Sequence, residues 1–229
     1  MGNSASIPMT PNPMPLSLFR GSPLTADIAD AIFIGHLDDK PIKEDVAASK
    51  RVDLLGNNAN KSWSWKVVCG QNPAYDYFSC QHQIFYKDAK DKMWYDPVFK
   101  VTTLDDIDVW RRRHYRVRPA AIPGQYNFSV LDNGVLSSEF WRILECADDL
   151  SWAVFYYSGA ASAAGTNYRG ALLCTKDGKW PEFTAEVKRR VSDALETGGI
   201  KLWELYEVSN SDCDATCAAG KAPLGLEKK

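Results

Sequence analysis

From residue 62 onward, blocks of apolar and aromatic residues alternate with clusters of Gly, Asn, Asp and Ser. Eight such blocks cover residues 63–69, 78–86, 93–101, 109–117, 126–131, 140–146, 153–157 and 171–175. Their length and their enrichment in Val, Ile, Phe, Tyr and Trp predict strands. Asp132-Asn133-Gly134 marks a hairpin and Asp148-Asp149 a further turn, so the connections are local and the sheet is an antiparallel meander. Closing such a meander on itself removes both edge strands and leaves an interior with room for one small ligand.

The pattern changes period after the last block. Residues 181–197 read as a helix: Pro181 and Glu182 suit its first turn and Gly198-Gly199 its end, while Phe183, Val187, Val191 and Leu195 form one apolar stripe. The stripe is expected to cover the outside of the barrel. Residues 200–208 are strand-like, and residues 213–229 read as a flexible tail. An all-β, lipocalin-like (calycin) up-and-down barrel of about eight strands with a C-terminal helix packed outside is the expected architecture.

The first part of the chain is different. Pro8, Pro11, Pro13, Pro15 and Pro23 among Ser, Asn and Met make residues 1–23 a disordered leader. Residues 24–61 read as an arm packed on the barrel, with a short helix at 25–33 (TADIADAIF), and residues 62–212 as the main domain. MGNSAS at the N-terminus matches the myristoylation pattern at Gly2, whereas a secretory signal is not evident.

Composition narrows the functional classes. With 229 residues, 45% of them apolar, the chain can bury one substantial core. A formal net charge of −2 gives no global electrostatic footprint for nucleic acid. Three histidines, none adjacent to another, and a single closely spaced cysteine pair, Cys213 and Cys217, argue against a metal site. The run RRRHYRVR at 111–118 reads as a solvated outer face, with attraction to anionic lipid or to an anion at the barrel mouth as the alternative.

The candidate chemistry lies in residues 65–81, WKVVCGQNPAYDYFSCQ. This run sets Asp76 among aromatic residues after an Asn72-Pro73 turn. A carboxyl buried there would have a raised pKa and could act as an acid, whereas a plain turn aspartate would instead hydrogen-bond local backbone.

Residues 65–81, together with WRIL (141–144), FYYSG (155–159) and YRGALLCT (168–175), resemble the lipocalin domain of the violaxanthin de-epoxidase family across roughly residues 62–215. The resemblance implies a barrel that takes a carotenoid, an oxidoreductase reaction on a xanthophyll epoxide with ascorbate as co-substrate, no metal, and a chloroplast setting in the thylakoid lumen or on its membrane. It places Asp76 on the first of two motif aspartates and Ser79 on the second. Gln81, Trp141 and Tyr157 fall on pocket positions, and Cys174 on a family tyrosine. Cys80 falls on a cysteine that pairs beyond the C-terminal helix, here Cys213, a bridge worth about 4 to 5 kcal/mol in the chain-entropy model. Two alternatives stand beside this reading: a non-catalytic carotenoid- or lipid-binding accessory protein, and a myristoylated form on the cytosolic face of a membrane.

Overall fold

The computed structural model describes residues 24–34, 64–87, 90–132, 135–161 and 166–211. Its strands are β1 (Trp65–Gly70), β2 (His82–Lys87), β3 (Met93–Thr102), β4 (Asp108–Arg112), β5 (Tyr115–Pro119), β6 (Gln125–Asp132), β7 (Val135–Cys146), β8 (Trp152–Ala161), β9 (Thr166–Thr175) and β10 (Tyr206–Glu207). Among the described residues, two α-helices accompany them, α1 (Ala26–Ile34) and α2 (Ala185–Thr197). The order β1-β2-β3-β5-β6-β7-β8-β9 closes when β9 pairs with β1, from Lys66 opposite Thr175 to Gly70 opposite Leu172. The result is a closed eight-stranded antiparallel barrel, with β4 added to β3 and β10 to β1.

The block expected as one strand at 109–117 is two, and a buried charge explains the break. Asp96 on β3 is fully buried. A buried carboxylate must be paired and hydrogen-bonded. It accepts hydrogen bonds from Arg112 Nη2 at 3.1 Å and His114 Nδ1 at 2.6 Å. The imidazole of His114 also stacks on Trp94 with a centroid separation of 4.4 Å. Satisfying Asp96 interrupts the ladder at residues 113–114, so β4 pairs with the upper half of β3 and β5 with the lower.

Alternation along the strands sorts side chains into two cores. On β7, Trp141 and Ile143 point inward, while Phe140 and Leu144 point out toward α2. Irregular register at residues 67–69 of β1 turns Val68 and Cys69 to the outer layer. Outside, Val191, Ala194 and Leu195 of α2 pack on Val68, Trp152, Val154, Tyr156 and Leu173, with Phe183 and Val187 at the margin. The expected stripe therefore covers the outer wall. The helix begins at Ala185, later than Pro181, because Thr184 accepts the Val187 N–H at 3.2 Å and caps it.

The described part of the arm, α1, plugs one end of the barrel. Ala29, Ile32 and Phe33 belong to the same buried cluster as the inner wall. The ring of Phe33 lies 4.5 Å from Phe85, 4.3 Å from Tyr126 and 5.3 Å from Phe155. Two polar contacts fix the plug: Trp65 Nε1 donates to the Ile32 carbonyl at 2.9 Å, and Tyr126 Oη to Asp30 Oδ1 at 2.9 Å. Strand directions place residues 71–81 and 103–107, the end of β6 and the start of β7 at the opposite end, the mouth. Truncating the plug with Phe33→Ala is expected to lower the unfolding free energy by about 3 to 5 kcal/mol, read as a shift of the urea midpoint at unchanged slope.

Candidate functional site

A cavity of about 580 Å³ opens at the mouth. Trp141, Tyr157, Tyr95 and Leu172 make its apolar wall, and Asp76, Gln81, Gln83 and Glu139 supply its polar groups. Below it, Trp141 stacks on Phe128 at 5.1 Å and Tyr95 on Phe85 at 4.8 Å. These rings rest in turn on Phe33 of α1. The plug thus supports the cavity floor.

Asp76 reaches the cavity because the loop after β1 folds back over the barrel. Asn72 organises this turn: its carbonyl accepts the Tyr75 and Asp76 N–H groups, and its side-chain oxygen accepts the Ala74 N–H. The Asp76 carboxylate receives the Asn72 N–H at 2.8 Å and the Tyr157 hydroxyl at 2.5 Å. Both expectations for Asp76 hold together, since it bonds turn backbone and is buried in the cavity at 4% exposure. Two glycines make the space. A Cβ on Gly70 would lie 2.2 Å from the Asp76 Cβ, and one on Gly170 would lie 2.3 Å from the Tyr157 hydroxyl.

Burial dominates the electrostatics. Loss of solvent raises the Asp76 pKa from 3.8 to about 7, against the opposing hydrogen bonds from Tyr157 and Asn72, and the charge of Glu139 raises it further. Glu139 sits on β7 with Oε2 accepting from Trp141 Nε1 and Oε1 from the Tyr168 hydroxyl, each at 2.8 Å. Burial pushes its carboxyl above the usual range as well, partly offset by these bonds and by Arg113. Burial and the neighbouring carboxylates push the Tyr157 and Tyr168 hydroxyls upward, so both stay protonated as donors.

Of the residues singled out from sequence, the fold brings Asp76, Gln81, Trp141 and Tyr157 to one cavity. Gln81 is 5% exposed, so it faces the cavity instead of solvent. Ser79 is not brought there: it is half-buried in the turn before β2, and its carbonyl accepts the Lys100 N–H at 3.2 Å. The second carboxyl of the cavity comes from Glu139, which the sequence reading missed. Strand parity carried the signal, since Glu139 lies two residues before Trp141 and must share its face. Arg111, Arg112 and Arg113 border the cavity, which moves this part of the basic run from an outer face to the mouth.

His82 is buried and accepts or donates through Nδ1 to the Ser64 hydroxyl at 2.7 Å. Burial drives its pKa down from 6.5 to about 3, helped by the charge of Lys66. Cys69, Cys146 and Cys174 are buried thiols outside any disulfide. Cys80 is not a free thiol, and its N–H points to the Ser209 carbonyl at 3.4 Å. Its expected partner Cys213 and the lipidation candidate Gly2 lie outside the described residues.

A closed antiparallel barrel with an external C-terminal helix, plugged at one end and open at the other to an aromatic cavity, defines a lipocalin. The family model for the VDE lipocalin domain, that of violaxanthin de-epoxidase, matches residues 30–210. The chain belongs to this family. Among solved structures, it is similar to insecticyanin from the tobacco hornworm Manduca sexta, at 14% identity over 66% of this chain and 79% of that one, with a TM-score of 0.49. It is similar also to lobster apocrustacyanin A1, at 13% identity over 76% and 88% of the two chains, with a TM-score of 0.45. A search of curated protein sequences gave no match.

The two buried titrations act on stability with opposite signs. Asp76, raised in the fold, binds its proton more tightly than in the unfolded chain, so its contribution is fully present below pH 3.8 and is lost as pH rises through about 7. His82, lowered in the fold, costs stability as pH falls from 6.5 toward about 3. Urea midpoints measured across this range should therefore rise more steeply with pH in Asp76→Asn, and less steeply in His82→Gln, than in the wild type.

Proposed function

We propose that this barrel is a de-epoxidase-type lipocalin that takes one ring end of a xanthophyll epoxide into the cavity, with ascorbate as the reductant. The observation that carries this reading is the carboxyl pair: Asp76, with a pKa near 7, bonded to Tyr157 beside an aromatic wall that also holds Glu139. A carboxylic acid that keeps its proton up to neutral pH is matched to protonating an epoxide oxygen. In this reaction Asp76 donates that proton as the carbon–oxygen bond opens. The ascorbate anion supplies two electrons and one proton, becoming dehydroascorbate, Asp76 supplies the second proton and regains it from solvent, and the oxygen departs as water while the carbon–carbon double bond forms. Glu139 supplies the second carboxyl that Ser79 does not, and Trp141 and Tyr157 hold the ring.

Arg111 and Arg113 at the mouth suit an ascorbate anion entering beside the ring. Tyr75, Tyr77, Leu104 and Ile107 of the mouth loops and Leu131 and Leu136 at the adjoining ends of β6 and β7 are exposed large apolar residues, and Leu104 is completely exposed. Such a rim suits contact with a membrane surface from which an apolar substrate is drawn. In this reading the protein works in the chloroplast, on the thylakoid membrane or in its lumen. An oxidising compartment there suits a Cys80–Cys213 bridge, and the contact of Cys80 with Ser209 brings the chain to within four residues of Cys213.

The test is to incubate the purified full chain with violaxanthin and ascorbate at acidic pH and follow the pigments by chromatography. Turnover is expected, with Asp76→Asn and Glu139→Gln each lowering it by about a hundredfold or more, whereas Ser79→Asp leaves it near the wild-type level because residue 79 is outside the cavity. Pigment binding without chemical change would instead show the accessory carrier, and would overturn the catalytic reading.

A further inference from the structure

The outer wall of the barrel carries a second concavity, separate from the cavity at the mouth. It is a groove of about 220 Å³ lined by Arg118 of β5, Asn127 and Ser129 of β6, Ser138 and Phe140 of β7 and Ser158 of β8. Strand register sets these side chains in two rows. One runs Arg118–Asn127–Phe140–Ser158–Arg169 across five strands, and the other begins Arg116–Ser129–Ser138. Alternation turns both rows outward, since Tyr126, Phe128, Trp141 and Tyr157 between them face the inner core. None of these residues is acidic, although the whole chain carries a net charge of −2. Arg116 is held by the Met93 carbonyl at 2.6 Å and by the Trp94 ring. Arg118 and Arg169 are exposed, and among the described residues no carboxylate pairs with either. Nearer the mouth, Leu131 and Leu136 stand opposite each other on the same face of β6 and β7, 72% and 55% exposed. From the mouth downward the wall therefore presents a leucine tip, a pair of serines and a row ended by arginines.

We infer that this groove is a docking site for the headgroup of an anionic lipid, engaged when the leucine tip enters a bilayer. The spacing matches. Two residues of strand rise about 7 Å, and barrel strands run about 40° off the axis, so the serines lie about 5 Å and the Arg118 row about 10 Å behind the leucines. A headgroup layer is about 5 to 7 Å deep on each side of the hydrocarbon. With the leucines at the hydrocarbon edge, the hydroxyls sit among the headgroups, and Arg118 and Arg169 reach the phosphates from the water side. The chemistry matches as well: phosphodiester oxygens only accept, and the groove offers guanidinium, amide and hydroxyl donors. An anionic bilayer sets charge directly beside hydrocarbon, as this wall sets arginine beside leucine. A nucleic acid offers the phosphates without that hydrocarbon. The second half of the basic run 111–118 thus has a role distinct from that of Arg111 and Arg113 at the mouth.

This inference rests on the reading of the mouth rim as a membrane contact, and the experiment separates the two. The full chain is sedimented with vesicles of phosphatidylcholine alone and with vesicles in which part of it is replaced by phosphatidylglycerol. At low salt, binding to the anionic vesicles is expected to be about twentyfold tighter, and Arg118→Gln and Arg169→Gln should each lower that affinity about fivefold. Neither variant should change binding to phosphatidylcholine. Arg189→Gln, which removes the same charge from the exposed face of α2, should leave the preference at the wild-type level. Equal affinity for the two kinds of vesicle would overturn the headgroup site while leaving the apolar rim in place. A preference that Arg118→Gln and Arg169→Gln leave intact, or that Arg189→Gln lowers as much, would overturn it too. Binding to neither kind of vesicle would overturn the rim contact and the groove together.

Discussion

The site depends on one constraint, the burial of carboxyl groups in an aromatic barrel. Asp76 is 4% exposed among rings, and the resulting loss of solvent outweighs the hydrogen bonds that stabilise its charged form. Everything nearby serves that burial. Asn72 folds the turn that delivers the carboxyl, Gly70 and Gly170 clear the space beside Asp76 and Tyr157, and Tyr157 orients the bonded oxygen. Glu139 repeats the arrangement on the adjacent wall with Trp141 and Tyr168 as its donors. Loss of solvent, with a smaller contribution from the Glu139 charge, lets Asp76 retain a proton at a pH where isolated carboxyls are ionised.

The plug and the closed sheet are what make this environment dry. Phe33 of α1 fills the far end and supports the rings beneath the cavity, so ligand and solvent enter at the mouth. A different solution is used at Asp96, where the buried charge is paired with Arg112 and His114. The contrast is chemical: Asp96 lies against the Arg112 guanidinium and the His114 ring and holds β4 and β5 on β3, while Asp76 receives an amide N–H and a phenol and burial raises its pKa to about 7. One carboxyl is a structural clamp and the other a candidate acid.

Much of this architecture was legible in the chain. Period-2 blocks and turn residues predicted the barrel, and the stripe through Val191 and Leu195 predicted the helix that covers it. The break of β4 from β5 was not legible, because it is enforced by Asp96 on another strand. The role of α1 was hidden for a similar reason: TADIADAIF encodes an apolar helix face, but not whether that face meets the outside or the inside of a barrel. At the site, Asp76 stood out in its aromatic turn, while Gln81, Trp141 and Tyr157 were found through the resemblance, which also drew attention to Ser79. Linear spacing made Ser79 the obvious companion of Asp76, yet the turn carries it away, and the companion arrives from β7, 63 residues later in the sequence. The hydrogen bond from Tyr95 on β3 to Gln83 on β2, at the cavity, is visible only in three dimensions.

The central claim is that Asp76 is a buried carboxyl raised by loss of solvent and, to a smaller degree, by the Glu139 charge. Carbon-13 NMR of the labelled side-chain carboxyls, followed across acidic and neutral pH in the wild type and in Glu139→Gln, tests it most directly. The account predicts an Asp76 midpoint near 7, a raised Glu139 midpoint, and a downward move of Asp76 when the Glu139 charge is removed. Midpoints near the ordinary carboxylate value of 3.8, unaffected by Glu139→Gln, would contradict it.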